Sequence, residues 1–299
     1  MPLSFNHFPY FSDYDPSKDF YDVLVRPGYA LQAREINTLQ SILEEQIRRF
    51  GNHIFQDGSM VIPGQIAYDT NLAYVKIDPT FSSNPIAWDL IDPKSETNQG
   101  ATVTLRGATT GITATVVLVN SDVNAIYVQY IDSGTNHSTS TFQDGETINL
   151  LPSNTGVATA ISTNATGKTA FASIQEGIYF IFGRFLAVHP QTVLVDNFNQ
   201  YPSARVGLEA IETIVTPEDD LSLNDNAAGT PNYAAPGAHR YKVELALTVK
   251  QINATDDENF VELLRVQAGI VQKLVDKTFY SEIMKTLARR TNDAMAALP

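Results

Sequence analysis

The chain has 299 residues, and its hydrophobic fraction of 43% and aromatic fraction of 10% are globular values that exclude disorder throughout. Its 33 acidic against 20 basic residues give a net charge of −13, which argues against a nucleic-acid or membrane-surface partner because both need clustered positive charge. The absence of cysteine excludes disulfides, thiolate zinc sites and cysteine nucleophiles. No signal peptide or run of 18 apolar residues is visible, so we expect a soluble protein.

Residues 1–25 form an N-terminal strap that is rich in aromatic side chains. Its members are Phe5, Phe8, Tyr10, Phe11, Tyr14, Phe20 and Tyr21. Such apolar area gains about 25 cal/mol per Å2 on burial, so we expect the strap to pack. Its partner is either its own domain or a neighbouring subunit.

An amphipathic helix is predicted over Ala30–Phe50, with Gly51 as its C-terminal stop. At roughly 100° per residue the side chains of Ile36, Leu39, Leu43, Ile47, Phe50 and Ile54 fall within an arc of about 80°, closer to a coiled-coil seam than to an ordinary surface helix. The predicted seam consists of Ile36, Leu39, Leu43, Gln46, Ile47 and Phe50, with Gln32 beside it. Two interpretations stay open: a helix packed on its own domain, or a seam shared between identical chains.

After the helix, Asp57-Gly58 predicts a hairpin turn between Ile54-Phe55 and Met60–Ile62. Gln65–Asp69 and Leu72–Asp78 follow as two strands. Residues 26–91 therefore constitute the helix–hairpin part of a core domain.

Residues 92–168 change to Thr, Ser, Asn, Gly, Ala and Val with few charges, which predicts an inserted small all-β module, a barrel or a sandwich. The predicted strands are Thr102–Leu105, Ile112–Val119, Ile126–Ile131, Glu146–Leu150 and Gly156–Ile161. A Thr/Ser-rich sheet is either a carbohydrate-binding face or simply a solvated surface.

Residues 169–299 are the β-rich remainder of the core domain. An apolar hairpin is predicted between Gly177–Val188 and Thr192–Val195, across His189-Pro190-Gln191. The loop Pro217–Arg240 exceeds the usual loop length and carries Leu221, Leu223 and Tyr233, so we expect an ordered loop that contacts a partner.

The C-terminal part of this remainder begins with the strand Tyr241–Lys250. A hairpin of Phe260–Val266 and Ile270–Gln272 and a helix from Phe279 to about Thr291 follow it. The predicted fold class is therefore α+β and β-dominated, with an N-terminal amphipathic helix and a C-terminal helix around a mixed core.

Three stretches carry a resemblance to a known family. They are Arg26–Gly64 (RPGYALQAREINTLQSILEEQIRRFGNHIFQDGSMVIPG), the Gly-Ile-Tyr-Phe strand with Gly-Arg-Phe at Gly177–Phe185, and Arg205–Leu247. They resemble a family of tailed-bacteriophage virion proteins, found in cyanophages among others and usually labelled tail-fibre or baseplate structural proteins. Members continue beyond the segment similar to Thr286–Thr291, so the resemblance implies the common domain without a long distal fibre portion.

The resemblance implies a structural component of a phage tail, a baseplate or tail-fibre attachment protein that serves host attachment through protein–protein assembly. It implies a homotrimer with other tail proteins as partners, located in the virion and assembled in the host cytoplasm. The alternative is a receptor- or glycan-binding tail-fibre component.

No motif of catalysis or cofactor binding is present in the sequence. The five histidines are scattered, and Asp219-Asp220 with Asp225 does not match the spacing of an EF-hand loop. We therefore expect no enzyme, cofactor or metal site; a tail-associated hydrolase has no residue constellation in its favour.

Overall fold

A computed structural model of the chain describes residues 4–135, 139–274 and 287–291. Its long helix, α1, is Ala33–Ile54, and its short helix, α2, is Trp88–Ile91. The strands are β1 Ser59–Ile62, β2 Ile66–Lys76, β3 Thr80–Phe81, β4 Asn84–Pro85, β5 Thr104–Gly107, β6 Thr113–Asn120, β7 Ala125–Tyr130, β8 Thr147–Leu150, β9 Thr155–Thr159, β10 Thr166–Ile174, β11 Gly177–Ile181, β12 Arg184–Val188, β13 Gln191–Leu194, β14 Ala204–Val215, β15 Arg240–Gln251, β16 Phe260–Gln267 and β17 Ile270–Leu274. The prediction of a β-dominated α+β fold is confirmed.

The strands form antiparallel sheets of very different size. The largest has the order β13-β10-β2-β7-β6-β5-β8-β9, and the next is β15-β14-β16-β17. A third is β1-β11-β12, and β3 pairs with β4 alone. The last strand of the largest sheet, β9, returns to the end of β2 through a bridge between Ile77 and Ala160, so this sheet curls back toward itself.

Two main cores lie on these sheets. The first packs β10, β11 and β12 against β14, β15 and β16, around residues such as Tyr179, Val206 and Leu263. The second fills the curled sheet of β5–β9 and the end of β2, with Ile126, Phe142 and Ile148 fully buried. All five strands predicted within residues 92–168 are present, and β7 joins them to β2.

The predicted bounds of the long helix are wrong at both ends. It begins at Ala33 because Glu35 accepts a hydrogen bond from the backbone N–H of Gln32 at 3.0 Å, which closes the first turn. It continues through Gly51 to Ile54. Gly51 lies inside the helix, and a Cβ at this position would lie 2.4 Å from the ring of Phe180. The glycine permits a close approach and does not end the helix.

The Asp57-Gly58 hairpin is also wrong, because α1 occupies its first arm. The dipeptide instead turns the chain from α1 into β1, which pairs with β11. Gly58 has φ +86° and donates its N–H to the carbonyl of Phe180, while Asp57 accepts from the N–H of Phe182. The following segment, predicted as two strands, is the single strand β2.

The apolar stretch from Gly177 pairs differently from the prediction. β11 and β12 form a tight hairpin whose central residues, Phe182 and Gly183, have φ of 51° and 78°. Positive φ at both positions is what a two-residue type I′ turn requires. β13 pairs with β10 instead, so the predicted pairing across His189-Pro190-Gln191 is wrong.

Near the C-terminus, the hairpin β16–β17 is confirmed, with Ala268 and Gly269 at positive φ in its turn. Residues 287–291 are helical. The rest of the helix predicted from Phe279 to Thr291 lies outside the described residues.

Candidate assembly surface

The apolar arc of α1 points away from the rest of the chain. The buried or half-buried positions of the helix include Thr38, Ser41, Ile42 and Glu45. At roughly 100° per residue, Glu45 lies about 160° from the centre of the apolar arc. The helix thus packs on its mixed face and turns its apolar face outward.

Five apolar members of the predicted seam are exposed. Ile36, Leu39, Leu43, Ile47 and Phe50 have between 44% and 65% of their surface accessible, and Gln46 is exposed beside them. In the described structure this face is therefore exposed, as a seam shared between identical chains requires. The six predicted seam residues form one surface, which we call the seam.

Buried Glu45 makes ion pairs within α1, and aromatic rings pack at the end of the helix. Buried Glu45 accepts hydrogen bonds from Arg48 Nε and Arg49 Nε, each at 2.7 Å. Burial acts to raise the pKa of Glu45, but the bonds from Arg49 and Arg48 outweigh burial and hold the pKa below its usual value. The end of the helix is fixed by Phe180, whose ring stacks near those of Phe55 and Phe185.

The first part of the N-terminal strap packs on its own chain. Phe5 meets the ring of Tyr241 at 4.9 Å, Tyr10 Oη lies 2.7 Å from His239 Nδ1, and Asp13 pairs with Arg34 at 3.4 Å. The contact between Tyr10 and His239 joins residues 229 positions apart, and no sequence pattern indicates it. Phe20 and Tyr21, in the later part of the strap, remain exposed.

The predicted partner-contact loop, Pro217–Arg240, is described throughout and lies at the surface. Leu221 and Tyr233 are 75% and 59% exposed, whereas Leu223 is half-buried in a short 3-10 turn. Asp225 and Ala235 fasten the loop, since the N–H of Asp225 donates to the carbonyl of Ala235 at 2.9 Å. The structure does not bring these three side chains to the seam; they remain a separate predicted contact surface.

A cleft lined by both polar and apolar side chains, here called the mixed cleft, opens where β2 and β7 separate beyond Ala73 and Val128. It has a volume of about 680 Å3, and Asn71, Gln129 and Lys168 line it together with the apolar Leu72 and Phe171. Lys168 Nζ donates to Asn71 Oδ1 at 3.2 Å. The cleft was not predicted from the sequence, because its residues lie on three distant strands.

Neither a metal-ligating cluster nor a membrane-spanning helix occurs in the part of the chain that the structure describes. There, His, Asp and Glu side chains form no group arranged to hold a metal ion. The same residues contain no helix with the length and apolar character needed to cross a membrane.

The fold and this surface define a class: a β-dominated α+β protein with an amphipathic helix whose apolar face is turned outward. The chain belongs to the family described as a domain of unknown function, DUF4815, whose model matches residues 8–81 and 112–297. The matched ranges include all of α1 and the loop Pro217–Arg240. No curated protein matches the chain, and no solved structure does.

Proposed function

We propose that this protein is a structural component of a bacteriophage tail, in the baseplate or at the fibre attachment point, and that it acts by assembly and not by catalysis. The observation that carries the proposal is the outward-facing seam on α1. The proposed location of the protein is the virion, and assembly takes place in the host cytoplasm. The resemblance of Arg26–Gly64 and Arg205–Leu247 to tail proteins supplies the biological setting.

An exposed apolar seam is costly to leave in water. Burial of a large apolar side chain contributes about 1.5–3 kcal/mol, and the seam has five such side chains more than 40% exposed. Part of that gain offsets the lost freedom of the associating chains. The seam itself carries no charged residue, so identical copies of a chain with net charge −13 can meet there without burying a charge.

The assembly is a homotrimer. Gln32 and Gln46 are exposed at the edges of the seam, and polar side chains in such positions fix the register of a coiled coil at some cost in stability. Fibrous phage tail parts, which the sequence resembles, are commonly trimeric. The loop Pro217–Arg240 then serves contacts with other tail proteins through Leu221, Leu223 and Tyr233.

Leu43→Asp tests the shared seam. Leu43 is 58% exposed, so the variant is expected to remain folded but to lose assembly, because a charge at the centre of the seam is buried only in the oligomer. Light scattering gives the mass, and circular dichroism gives the fold. Ile131→Asp is the matched control. Ile131 directly follows β7, is 61% exposed and is far from α1 in sequence. An unfolded Leu43→Asp chain with a folded control contradicts the proposal.

The finer fold proposal concerns residues 92–168, which we infer to be an inserted barrel. The bridge between Ile77 and Ala160 and the single buried cluster inside β5–β9 support this description. β10 begins at Thr166, so the end of the module runs directly into a strand of the core domain.

A second candidate function, receptor or glycan binding, is favoured by the mixed cleft beside β2 and β7. Its hydroxyl, amide and ammonium groups, together with Tyr130 and Phe171, suit a sugar ligand. Binding to a glycan array that is lost in Asn71→Ala supports this candidate. Absence of binding in the assembled protein counts against it.

A further inference from the structure

We propose that residues Phe20–Leu31 of one copy, here called the arm, pack on the seam of a neighbouring copy. The interface between copies then consists of two parts, the seam of one chain and the arm of the next. This inference rests on the proposed assembly through the seam and adds the segment that completes it.

The arm is the least anchored apolar segment that the structure describes near α1. Its six large apolar side chains are 54% to 84% exposed: Phe20, Tyr21, Leu24, Val25, Tyr29 and Leu31. Among the described residues, the arm's hydrogen bonds stay within the arm, as between Tyr29 N–H and the carbonyl of Arg26. The preceding residues 5–13, by contrast, are tied to the core and to α1 by ring stacking, a hydrogen bond and an ion pair.

The arm does not cover its own seam. Its residues line two shallow pockets whose α1 residues are Arg34, Glu35 and Thr38, and all three lie outside the apolar arc. Within the described residues the seam positions from Ile36 to Phe50 therefore remain exposed, and a second copy is the occupant that supplies both an arm and a seam.

The available area favours an interface that includes the arm. At roughly 150–250 Å2 for a large side chain, the five half-exposed apolar seam residues present on the order of 500 Å2. A stable interface buries about 800 Å2 on each partner. The six arm side chains add on the order of 700 Å2 by the same reckoning, which takes the total past that requirement.

Reach and charge are compatible with this packing. The arm leads directly into α1, so it begins beside the seam of any copy that joins α1 to α1. Twelve extended residues span up to about 40 Å, and a 22-residue helix is about 33 Å long. The arm carries one acidic residue, Asp22, and one basic residue, Arg26, so it has no net charge to oppose the approach of a second copy.

The absence of native cysteine allows a direct test by disulfide trapping. Two chains with different tags are coexpressed, one with Leu24→Cys and the other with Ile47→Cys, and the mixed-tag disulfide is measured after mild oxidation. The control pair replaces Ile47→Cys with Ser121→Cys, at an exposed position in the turn between β6 and β7. We expect the mixed-tag product in at least tenfold excess over the control pair; equal amounts overturn the proposal.

A second experiment separates the arm from the seam. The double variant Tyr21→Ser/Leu24→Ser is expected to raise the concentration for half-assembly at least tenfold, with an unchanged melting temperature of the monomer. Ile131→Ser is the matched control and should leave assembly unchanged. If the arm variant assembles normally while Leu43→Asp does not, the arm proposal falls and the proposed function stands. If the wild type never assembles, or Leu43→Asp assembles normally, the proposed function falls as well.

Discussion

Gly51 and Phe180 set how closely α1 approaches the sheet of β1, β11 and β12. Gly51→Ala gains about 1 kcal/mol of helix propensity. The added Cβ meets the Phe180 ring at 2.4 Å, and overpacking of this kind costs about 1–3 kcal/mol. We expect a net loss of up to about 2 kcal/mol in the free energy of unfolding, measured by urea titration.

The matched control for this substitution is the pair Gly51→Ala with Phe180→Leu. The smaller side chain makes room for the Cβ, so part of the lost stability should return relative to Phe180→Leu alone. A Gly51→Ala chain about 1 kcal/mol more stable than the wild type, as helix propensity alone predicts, would show that the helix does not lie against Phe180.

Arg205 is a buried cation on β14, where this strand pairs with β16. It is 6% exposed, and its guanidinium donates to Glu262 and Asp257 at 2.5 Å each and to the carbonyl of Ala254. Removing one partner of such a network typically costs about 3–5 kcal/mol. Arg205→Met is therefore expected to lower the free energy of unfolding by that order, as measured by denaturant titration.

The same network gives a pH dependence. Burial acts to raise the pKa of Glu262, but hydrogen bonds from Arg265 and Arg205 outweigh burial and hold the pKa below the ordinary value of 4.5. A carboxyl with a lowered folded-state pKa stabilises the fold above its unfolded-state value, and this contribution is lost as the pH falls through the folded-state value.

We therefore expect the wild type to lose more unfolding free energy than Glu262→Gln as the pH falls from about 5 to about 3. Denaturant midpoints measured across that range provide the comparison. Parallel curves for the two proteins would remove Glu262 from the acid response.

At the scale of elements, the strands within the module and the C-terminal hairpin are predictable because their turns carry a local signal. Ala268-Gly269 joins two β-branched arms and folds as expected. Asp57-Gly58 carries a stronger local signal but does not form a hairpin, because the periodicity of α1 extends through Ile54 and leaves no first arm. The turn between β11 and β12 was not predicted, because a phenylalanine at positive φ, such as Phe182, has no turn signature, although Gly183 beside it does.

Deletion of residues 78–163, which removes most of the module and the segment that leads into it, tests whether the first core stands alone. β2 and β10 pair directly as far as Val75 and Thr166, and the first core contains no residue between 78 and 163. We expect a chain in which residues 78–163 are replaced by a short Gly/Ser bridge, with Val75→Thr and Ile77→Thr, to unfold cooperatively. Loss of a cooperative transition in urea would show that the curled sheet and the first core fold as one unit.

The loop Pro217–Arg240 gives a prediction about partners. In the isolated chain, chymotrypsin should cut quickly at Leu221 and Tyr233, because both side chains are exposed. Within an assembled tail the same bonds should be protected. Equally rapid cleavage at Tyr233 in both states would argue against a contact role.

At the scale of the whole molecule, the seam shows what a sequence can and cannot predict. The 3.6-residue period identified Ile36, Leu39, Leu43, Ile47 and Phe50 as one face, and the structure places all five on one side of α1. Period alone does not say what covers a face. Here the side toward the core is chosen by the buried Glu45 and the contact of Gly51 with Phe180, two features that hydrophobic periodicity does not contain.

The central claim is that identical chains meet along α1. A cryo-EM map of the assembled tail tests this most directly, because it shows the helices of neighbouring copies in place. The account predicts α1 axes about 8–10 Å apart around a common axis, with Leu43 of each copy facing inward. A map in which the α1 helices of neighbouring copies lie far apart, with the seam open to solvent, would contradict it.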